Sequence, residues 1–411
     1  MTCGRIRSVR RSFGRGAIAL LLAVSLSPSA SRAAESPAAP SPPDRTTAGP
    51  PATDPVAADP VPVDPETTDP VPVEQWGGLP KVREQFPLTT GFLILEPTSA
   101  FVLPAGTWRA SAAITWSNTF TAQQDVERAL AARAERSSFE REAFERFAAA
   151  DTDDQTFYLD AQVTRLVFEL SRGIGHGLEL SLAVPAVEMH GGFTDFLVEP
   201  FHDALGFDQE GRSGVHHDGF GLFVSGQGLE LAIESDVGPK VGDVEVGIKK
   251  RLAGRSAAWS LLVEAEAKLP TGDDERLISS GSVDVGLGLA ASRCWRSRCI
   301  HGMVGTVWAG ASDRLGTDRR SILNAAVGLE ERFSERWRLT VQGSYWQSYL
   351  AGIGFEHFAE DTVQLAVAVS RRIGPPVGGA GEVLVGLSEN AFSFKNSADV
   401  SFHLGWQRRF E

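Results

Sequence analysis

The chain has 411 residues and a formal net charge of −13. A surface this acidic excludes nucleic acid as an expected partner, because nucleic-acid binding needs clustered Lys and Arg side chains. After the N-terminus, no segment reaches the ~18 uninterrupted apolar residues that a membrane-spanning helix requires.

The first 33 residues predict an N-terminal signal peptide. They combine a basic start, an apolar run over 17–26 and small residues at Ser31 and Ala33. The motif Arg-Arg-Ser-Phe at 10–13 also fits a twin-arginine signal, which exports folded proteins. An exported chain without a second anchor is periplasmic, secreted or located in an outer membrane.

Residues 34–75 predict a disordered, Pro- and Asp-rich tether. Four pentads beginning at 54, 59, 64 and 69 read DPVAA, DPVPV, DPETT and DPVPV. Proline fixes its φ angle and donates no backbone hydrogen bond, so the segment should be extended. A solvated spacer is favoured over a ligand for a Pro-motif receptor.

The stretch 241–273 contains two alternating runs joined by a tight connection at 253–256. Val244, Val246 and Ile248 share one parity in the first run, and Trp259, Leu261 and Val263 share one in the second. A period of two indicates strands with two different faces. One face is apolar and the other carries charges of both signs.

Similar runs recur to the C-terminus and predict twelve strands. They lie at about 107–117, 157–171, 176–188, 241–252, 257–268, 282–292, 300–309, 320–332, 337–348, 361–372, 381–388 and 398–410. An extra hairpin within 215–233 would raise the number to fourteen. Residues 76–106, which precede the first strand, form an ordered lead-in segment that enters or braces the structure.

The connections between these strands are alternately short and long. This alternation is typical of an outer-membrane barrel, which has short periplasmic turns and long external loops. The fold class is therefore all-β, an antiparallel transmembrane β-barrel over 107–411. The charged parity then faces the lumen, with Asp243, Glu245, Lys249, Arg251, Glu264, Glu266, Lys268 and Asp284 as the lumen-lining candidates.

Aromatic residues near the strand ends fit the headgroup layers of a membrane. They are Trp108, Trp116, Trp259, Trp308, Trp337, Tyr345, Trp346 and Tyr349. The last strand ends in the pattern His403-x-Gly405-x-x-Arg408-x-Phe410, which resembles the signal read by the barrel-assembly machinery. The chain departs from that signal at Arg408, where the signal has an apolar residue, and at Glu411, which follows the aromatic.

Only Cys294 and Cys299 remain after the signal peptide, and they flank a four-residue connection. In an oxidising compartment the pair predicts a disulfide that closes a hairpin turn. Two free thiols, or a metal site with His301, are the alternatives that the spacing leaves open.

Two of the long loops have distinctive sequences. The Glu- and Arg-rich insertion 123–149 has helical character and predicts a helix on an external loop, with a plug or lid as the weaker alternative. The next loop carries the motif residues His190, Gly191, Gly192, Phe193, Asp195, His202 and Asp203. Their spacing fits no compact metal pattern, so we expect no metal and no cofactor.

Several motifs resemble an uncharacterised family, a domain of unknown function, of Gram-negative outer-membrane β-barrel proteins. They are Leu-Pro-Ala-Gly-Thr-Trp at 103–108, the loop motif, Gly-Asp-Val at 242–244, Leu-Pro-Thr-Gly-Asp at 269–273 and Phe-His-Leu-Gly at 402–405. The resemblance runs from about Leu103 to Phe410 and implies a barrel in outer-membrane lipid. It implies no activity, and the insertion 123–149 is unlike the family pattern.

These observations favour a channel for small solutes with a charged lumen. A structural or adhesin-like barrel that binds a partner through its loops or tether is one alternative, and a soluble periplasmic β-protein is another. We expect no enzyme, because His301 and His403 lie in strands and no nucleophile is placed near either by the sequence.

Overall fold

The computed structural model describes residues 77–206, 209–254, 259–374, 381–390 and 396–411. The predicted signal peptide at 1–33 and the predicted tether at 34–75 lie outside these residues. The lead-in segment lies inside them from Gly77 onward.

The described residues form fifteen strands in one antiparallel sheet. The strands are β1 (Trp108–Ala122), β2 (Thr156–Gly175), β3 (Leu178–His190), β4 (Gly221–Gly226), β5 (Leu229–Ile233), β6 (Val237–Val241), β7 (Val244–Ala253), β8 (Ser260–Leu269), β9 (Asp284–Trp295), β10 (Arg298–Ala309), β11 (Arg320–Arg332), β12 (Trp337–Trp346), β13 (Thr362–Ile373), β14 (Gly381–Asn390) and β15 (Val400–Phe410).

Twelve of these strands, all except β4, β5 and β6, close into a barrel. Each pairs with the next along the chain, and β15 returns to pair with β1, placing Phe410 opposite Trp108. The prediction of an antiparallel twelve-stranded barrel is confirmed. All twelve predicted segments overlap the barrel strands.

The predicted extra hairpin exists but does not enlarge the barrel. β4 pairs with residues 156–160 of β2, beyond the part of β2 that pairs with β3, and β5 pairs with β4. The hairpin therefore extends the wall above the barrel. The alternative of fourteen barrel strands is wrong, because within the barrel β2 pairs with β3, and it pairs with β4 only beyond the barrel.

The apolar parity of each barrel strand faces outward. Val246, Ile248 and Leu261 are 42–46% exposed, and Leu289 of β9 is 54% exposed. A soluble barrel would bury these side chains, whereas a membrane barrel turns them to lipid. The outer face therefore fits a membrane and does not fit a soluble periplasmic protein.

The two ends of the barrel differ in the length of their connections. Short turns follow β2, β7, β9, β11 and β13, and longer loops follow β1, β3, β8, β10, β12 and β14. The first strand begins and the last strand ends at the short-turn end. The other end is called the long-loop end below.

The aromatic prediction is correct only in part. Trp259, Trp308 and Trp337 are 38–48% exposed on the outer face, but Trp346 and Tyr349 are buried at 3% and 4%. Trp346 was predicted on the wrong face of β12. It lies on the inward face, which it shares with the buried Arg338 and Gln342. Tyr349 follows the strand and turns inward.

The first long loop contains the predicted helical insertion as two helices, α1 (Gln124–Ala131) and α2 (Arg141–Ala150). Val126, Leu130 and Phe144 pack on Phe120 and Tyr158, which project from β1 and β2. The insertion thus covers the wall at the long-loop end and does not plug the lumen. A third helix, α3 (Asp195–Leu205), lies in the next loop. No helix among the described residues is long and apolar enough to cross a membrane.

Cys294 and Cys299 lie directly opposite each other in the β9–β10 hairpin and form a disulfide. The predicted pairing is therefore present, and it closes the turn of residues 295–298.

The lipid-facing orientation of the apolar side chains can be tested with an arginine at two different depths in the membrane. Leu289→Arg places a cation on the lipid face near the middle of β9, and we expect a loss of about 2–4 kcal/mol in folding free energy. Val283→Arg, on the same parity at the long-loop end, should cost about 1 kcal/mol or less. Urea titrations in lipid, followed by heat-modifiable gel mobility, measure both. Equal losses at the two positions would contradict a lipid-facing band.

Candidate functional site: a lumen filled by residues 77–103

Residues 77–103, called the plug below, occupy the interior of the barrel. They enter at the short-turn end, where Arg338 Nη1 donates to the carbonyl of Gly78 at 2.8 Å. They reach the long-loop end, where Ala398 N donates to Glu84 Oε1 at 3.0 Å. They then return to the short-turn end, where Leu103 N donates to Glu179 Oε2 at 2.8 Å.

The plug has no strand or helix of its own, so its buried backbone needs side-chain partners. Asp284 accepts from Leu93 N at 2.8 Å, and Ser292 Oγ accepts from Ala100 N at 2.9 Å. Asn324 Nδ2 donates to the carbonyl of Leu95 at 3.1 Å. These contacts fix the plug at defined positions on the barrel wall, so it is a specific part of the fold.

Ion pairs add to this attachment. Arg83 Nη1 of the plug lies 3.0 Å from Glu245 Oε1, which Arg165 of β2 also approaches at 3.2 Å. Lys81 of the plug pairs with Glu169 of β2. Arg83 is buried, so its pair with Glu245 holds well only while both partners stay in place, whereas Lys81 is exposed.

The predicted lumen residues Asp243, Lys268 and Asp284 form one buried cluster. Lys268, only 1% exposed, pairs with Asp243 and lies 3.5 Å from Asp284 Oδ2. Asp243 Oδ1 also accepts from the backbone N–H groups of Thr271 at 3.0 Å and Gly272 at 2.8 Å. The Gly-Asp-Val and Leu-Pro-Thr-Gly-Asp motifs therefore meet, and they fix the loop between β8 and β9.

The other predicted lumen residues also share the inward parity. Lys249 Nζ donates to Thr98 Oγ1 of the plug at 2.7 Å and lies 3.5 Å from Glu264. Glu266 and Arg251 are partly buried, and Glu266 lies opposite glycines on both neighbouring strands. Of the side chains predicted to line the lumen, Glu245, Lys249 and Asp284 therefore contact the plug.

The tip of the plug belongs to an apolar core at the long-loop end. Its members from the plug are Phe86, Leu88, Phe92, Leu93, Ile94 and Leu95. They pack with side chains of the loops after β8 and β12, among them Ile278, Tyr349 and Phe358, and with the β4–β5 hairpin. This core closes the long-loop end of the lumen.

A cavity of about 160 Å³ separates the plug from the opposite wall, formed by β13, β14, β15 and β1. Small side chains and glycines face it, namely Ser111, Ala113, Ala366, Ala368, Gly386 and Gly405. Residues of the short-turn end, including Arg409 and Gly77, also line it. Charged side chains of β7 and β9 hold the plug. The opposite wall of β13, β14, β15 and β1, called the small-residue wall below, leaves space beside the plug.

Polar contacts between neighbouring strands line the wall of this cavity towards the long-loop end. His403 Nε2 lies 2.8 Å from Ser388 Oγ, and its Nδ1 lies 3.1 Å from Thr115 Oγ1. Beyond them, Ser117 Oγ and Ser401 Oγ are 2.7 Å apart. These contacts join β14, β15 and β1 within the wall and do not cross the lumen.

The sequence did not place a serine beside either strand histidine, but the structure does. Besides the Ser388–His403 contact, Ser292 Oγ lies 2.8 Å from His301 Nδ1. Ser292 and His301 are 2% and 1% exposed, and Phe101 of the plug packs edge-on against His301 at 5.6 Å. This pair has no room for a substrate carbonyl and serves the packing of the plug.

The second long loop is fastened to the barrel by a buried arginine. Arg212 Nη1 donates to Asn118 Oδ1 and Asp195 Oδ1, each at 2.6 Å, and Nη2 pairs with Asp399. Burial raises the pKa of Asp399 to about 6, although Arg212 opposes the shift. Burial likewise raises the pKa of Asp195 against the influence of Arg212.

The remaining motif residues surround this attachment. Gln162 Oε1 accepts from Phe193 N at 3.1 Å and from Thr194 Oγ1 at 2.8 Å, which positions the start of α3. His190 Nε2 lies 3.1 Å from Thr164 Oγ1. The backbones of Gly191 and Gly192 pass so close to Asp218 and Gln162 that a Cβ would clash.

The end of α3 carries the last two motif residues. His202 is 7% exposed, and burial lowers its pKa to about 4. Asp203 accepts from Gln209 Nε2 at 2.7 Å. Within the described parts of the chain, no three His, Cys, Asp or Glu side chains are grouped to hold a metal ion.

The family "Protein of unknown function (DUF3187)" matches residues 74–410. The chain belongs to this family. The match begins well before Leu103, where the sequence motifs first indicated it, so the family domain includes the plug. No curated protein matches the chain.

Solved structures with the same general architecture are distant from this family member. The COG4313 outer membrane channel from Pseudomonas putida F1 has 13% identity and a TM-score of 0.44, covering 75% of this chain and 96% of that one. The Ralstonia pickettii toluene transporter TbuX has 10% identity and a TM-score of 0.36, covering 75% and 90%. A Pseudomonas aeruginosa FadL homologue has 8% identity and a TM-score of 0.32, covering 81% and 98%. The assignment of the barrel rests instead on the strand pairing of this chain.

Asp284 is the side chain through which the barrel wall, the buried Lys268 and the plug meet. Asp284→Ala would leave Lys268 with less compensation and Leu93 N without its acceptor, so we expect a loss of about 3 kcal/mol or more. Glu275→Ala, an exposed acid in the same loop, should change stability by about 0.5 kcal/mol or less. Heat-modifiable mobility across a urea series gives both values. Similar stability of the two variants would show that the attachment is energetically unimportant.

Proposed function

We propose that the protein is an outer-membrane channel for small solutes that its own plug holds closed. In this proposal the chain is exported through its N-terminal signal peptide, and the short-turn end faces the periplasm. The cavity between the plug and the small-residue wall carries the proposal, because a structural barrel would have no reason to leave one side of the lumen unfilled.

The proposed path follows β13, β14, β15 and β1. On the opposite side, Glu245, Lys249 and Asp284 are occupied by contacts with plug atoms. Gly386, Gly405 and Ala113 are too short to reach across the cavity. A solute would therefore pass between the plug and this wall after the plug tip shifts.

Both ends of the plug lie at the short-turn end. The residues before and after the plug can therefore be joined without a chain segment that crosses the lumen. We expect a variant lacking residues 77–102 to insert as a folded barrel and to conduct ions continuously in planar bilayers. The full chain should be closed for most of the recording. Heat-modifiable mobility shows whether the shortened barrel is folded, and a folded but silent variant would contradict the channel.

The position of the path can be tested separately. Gly405 has only Leu384 within 4 Å of an added Cβ, so Gly405→Trp should fill the cavity and reduce the conductance of the plug-deleted barrel several-fold. Gly302→Trp adds the same ring on the outer face, where nothing lies within 4 Å of the Cβ, and should not change conductance. Equal conductance of the two variants would place the path elsewhere.

Partner binding through the long loops is a second candidate. Phe193, Phe196 and Leu197 at the start of α3 are 43–58% exposed, in a loop whose other end is firmly attached through Arg212. An exposed apolar patch of this kind is typical of a contact surface.

A further inference from the structure

Three arginines on the outer face lie over tryptophan rings. The guanidinium carbon of Arg172 is 4.8 Å from the ring centroid of Trp108, that of Arg293 is 5.7 Å from Trp259, and that of Arg371 is 5.3 Å from Trp337.

In each pair the strand register places the arginine opposite the tryptophan on the neighbouring strand. Arg172 is the residue of β2 opposite Trp108, and Arg371 is the residue of β13 opposite Trp337. The pairing of Ser260 with Ser292 brings Trp259 beside Arg293 in the same way. The motif is therefore a tryptophan at the beginning of one strand and an arginine near the end of its neighbour.

The three pairs are evenly spaced around the barrel. They lie between β1 and β2, between β8 and β9, and between β12 and β13. In the cyclic strand order, the motif repeats every four strands, so that two strands lie between one pair and the next. Twelve strands thus carry the motif once in every third of the circumference.

All three pairs face outward at the short-turn end, directly below the apolar band. Arg172 is two residues from the lipid-facing Leu170, and Arg371 is two residues from Val369. Across the described ranges, no carboxylate lies within 4 Å of Arg172, Arg293 or Arg371. Arg298 on the same rim differs, because it pairs with Glu331.

This chemistry suits a lipid phosphate. An indole ring is stable at the boundary between acyl chains and headgroups, and a guanidinium over its face keeps the N–H donors at its edges free for another partner. Those donors match two oxygens of one phosphate group. A free phosphate would use the donors but would gain nothing from the adjacent apolar band.

We propose that the three Trp–Arg pairs are binding sites for anionic glycerophospholipids in the membrane leaflet at the short-turn end. Each site takes one headgroup phosphodiester, while the acyl chains lie against the apolar band above it. Three sites a third of a turn apart hold the rim level in the leaflet and resist tilting. The sites are independent of conduction and go beyond the proposed channel.

Native mass spectrometry of the detergent-purified full chain with added phosphatidylglycerol tests the proposal. The wild type should retain three lipids, each of Arg172→Gln, Arg293→Gln and Arg371→Gln should lose one, and the triple variant should lose all three. Arg298→Gln, on the same rim but already ion-paired, should retain three. Heat-modifiable mobility establishes folding, and the single variants remain informative if the triple variant does not fold.

Competing ligands identify the source of the phosphate. Inorganic phosphate at millimolar concentration should not displace the phosphatidylglycerol, and phosphatidylcholine should be retained less well. Retention of three lipids by the triple variant, an equal loss in Arg298→Gln, or displacement by inorganic phosphate would overturn the proposal.

Discussion

A backbone inside a membrane barrel has no bulk water to satisfy its polar groups, and the rest of this structure follows from that constraint. The wall satisfies its backbone by closing β15 onto β1, so that each of its twelve strands has a partner on both sides. The plug has no ladder of its own and satisfies its backbone through side chains of the wall. Asp284, Ser292 and Asn324 supply the acceptors and donors that a neighbouring strand would otherwise supply.

The same requirement divides the lumen into two unlike halves. Long charged and polar side chains are concentrated where plug atoms need partners, and small residues face the side where the plug is not attached. Lys268 illustrates the cost of this arrangement. A buried ammonium group is tolerated only because two carboxylates and neighbouring oxygen atoms surround it. The plug therefore fills one side of the lumen and leaves a cavity on the other.

Local sequence patterns were sufficient for the wall, because a period of two and alternating loop lengths are properties of neighbouring residues. They were insufficient for the plug, whose partners Asp284 and Ser292 lie 191 and 192 residues away from Leu93 and Ala100. An inward charge has the same sequence signature whether it meets water or a plug. The Ser292–His301 contact could have been inferred, because pairing Cys294 with Cys299 places these two residues opposite each other. Trp346 was assigned to the outer face because it lies near a strand end, without asking which face of β12 its position occupies.

Residues 77–103 occupy the lumen of the membrane-embedded barrel, and cysteines introduced at Ala100 and Ser292 test this placement in native membranes. Ala100 N and Ser292 Oγ are 2.9 Å apart. We expect the two cysteines to form a disulfide and neither to react with a membrane-impermeant maleimide. Free thiols at both positions that react readily with the maleimide would contradict it.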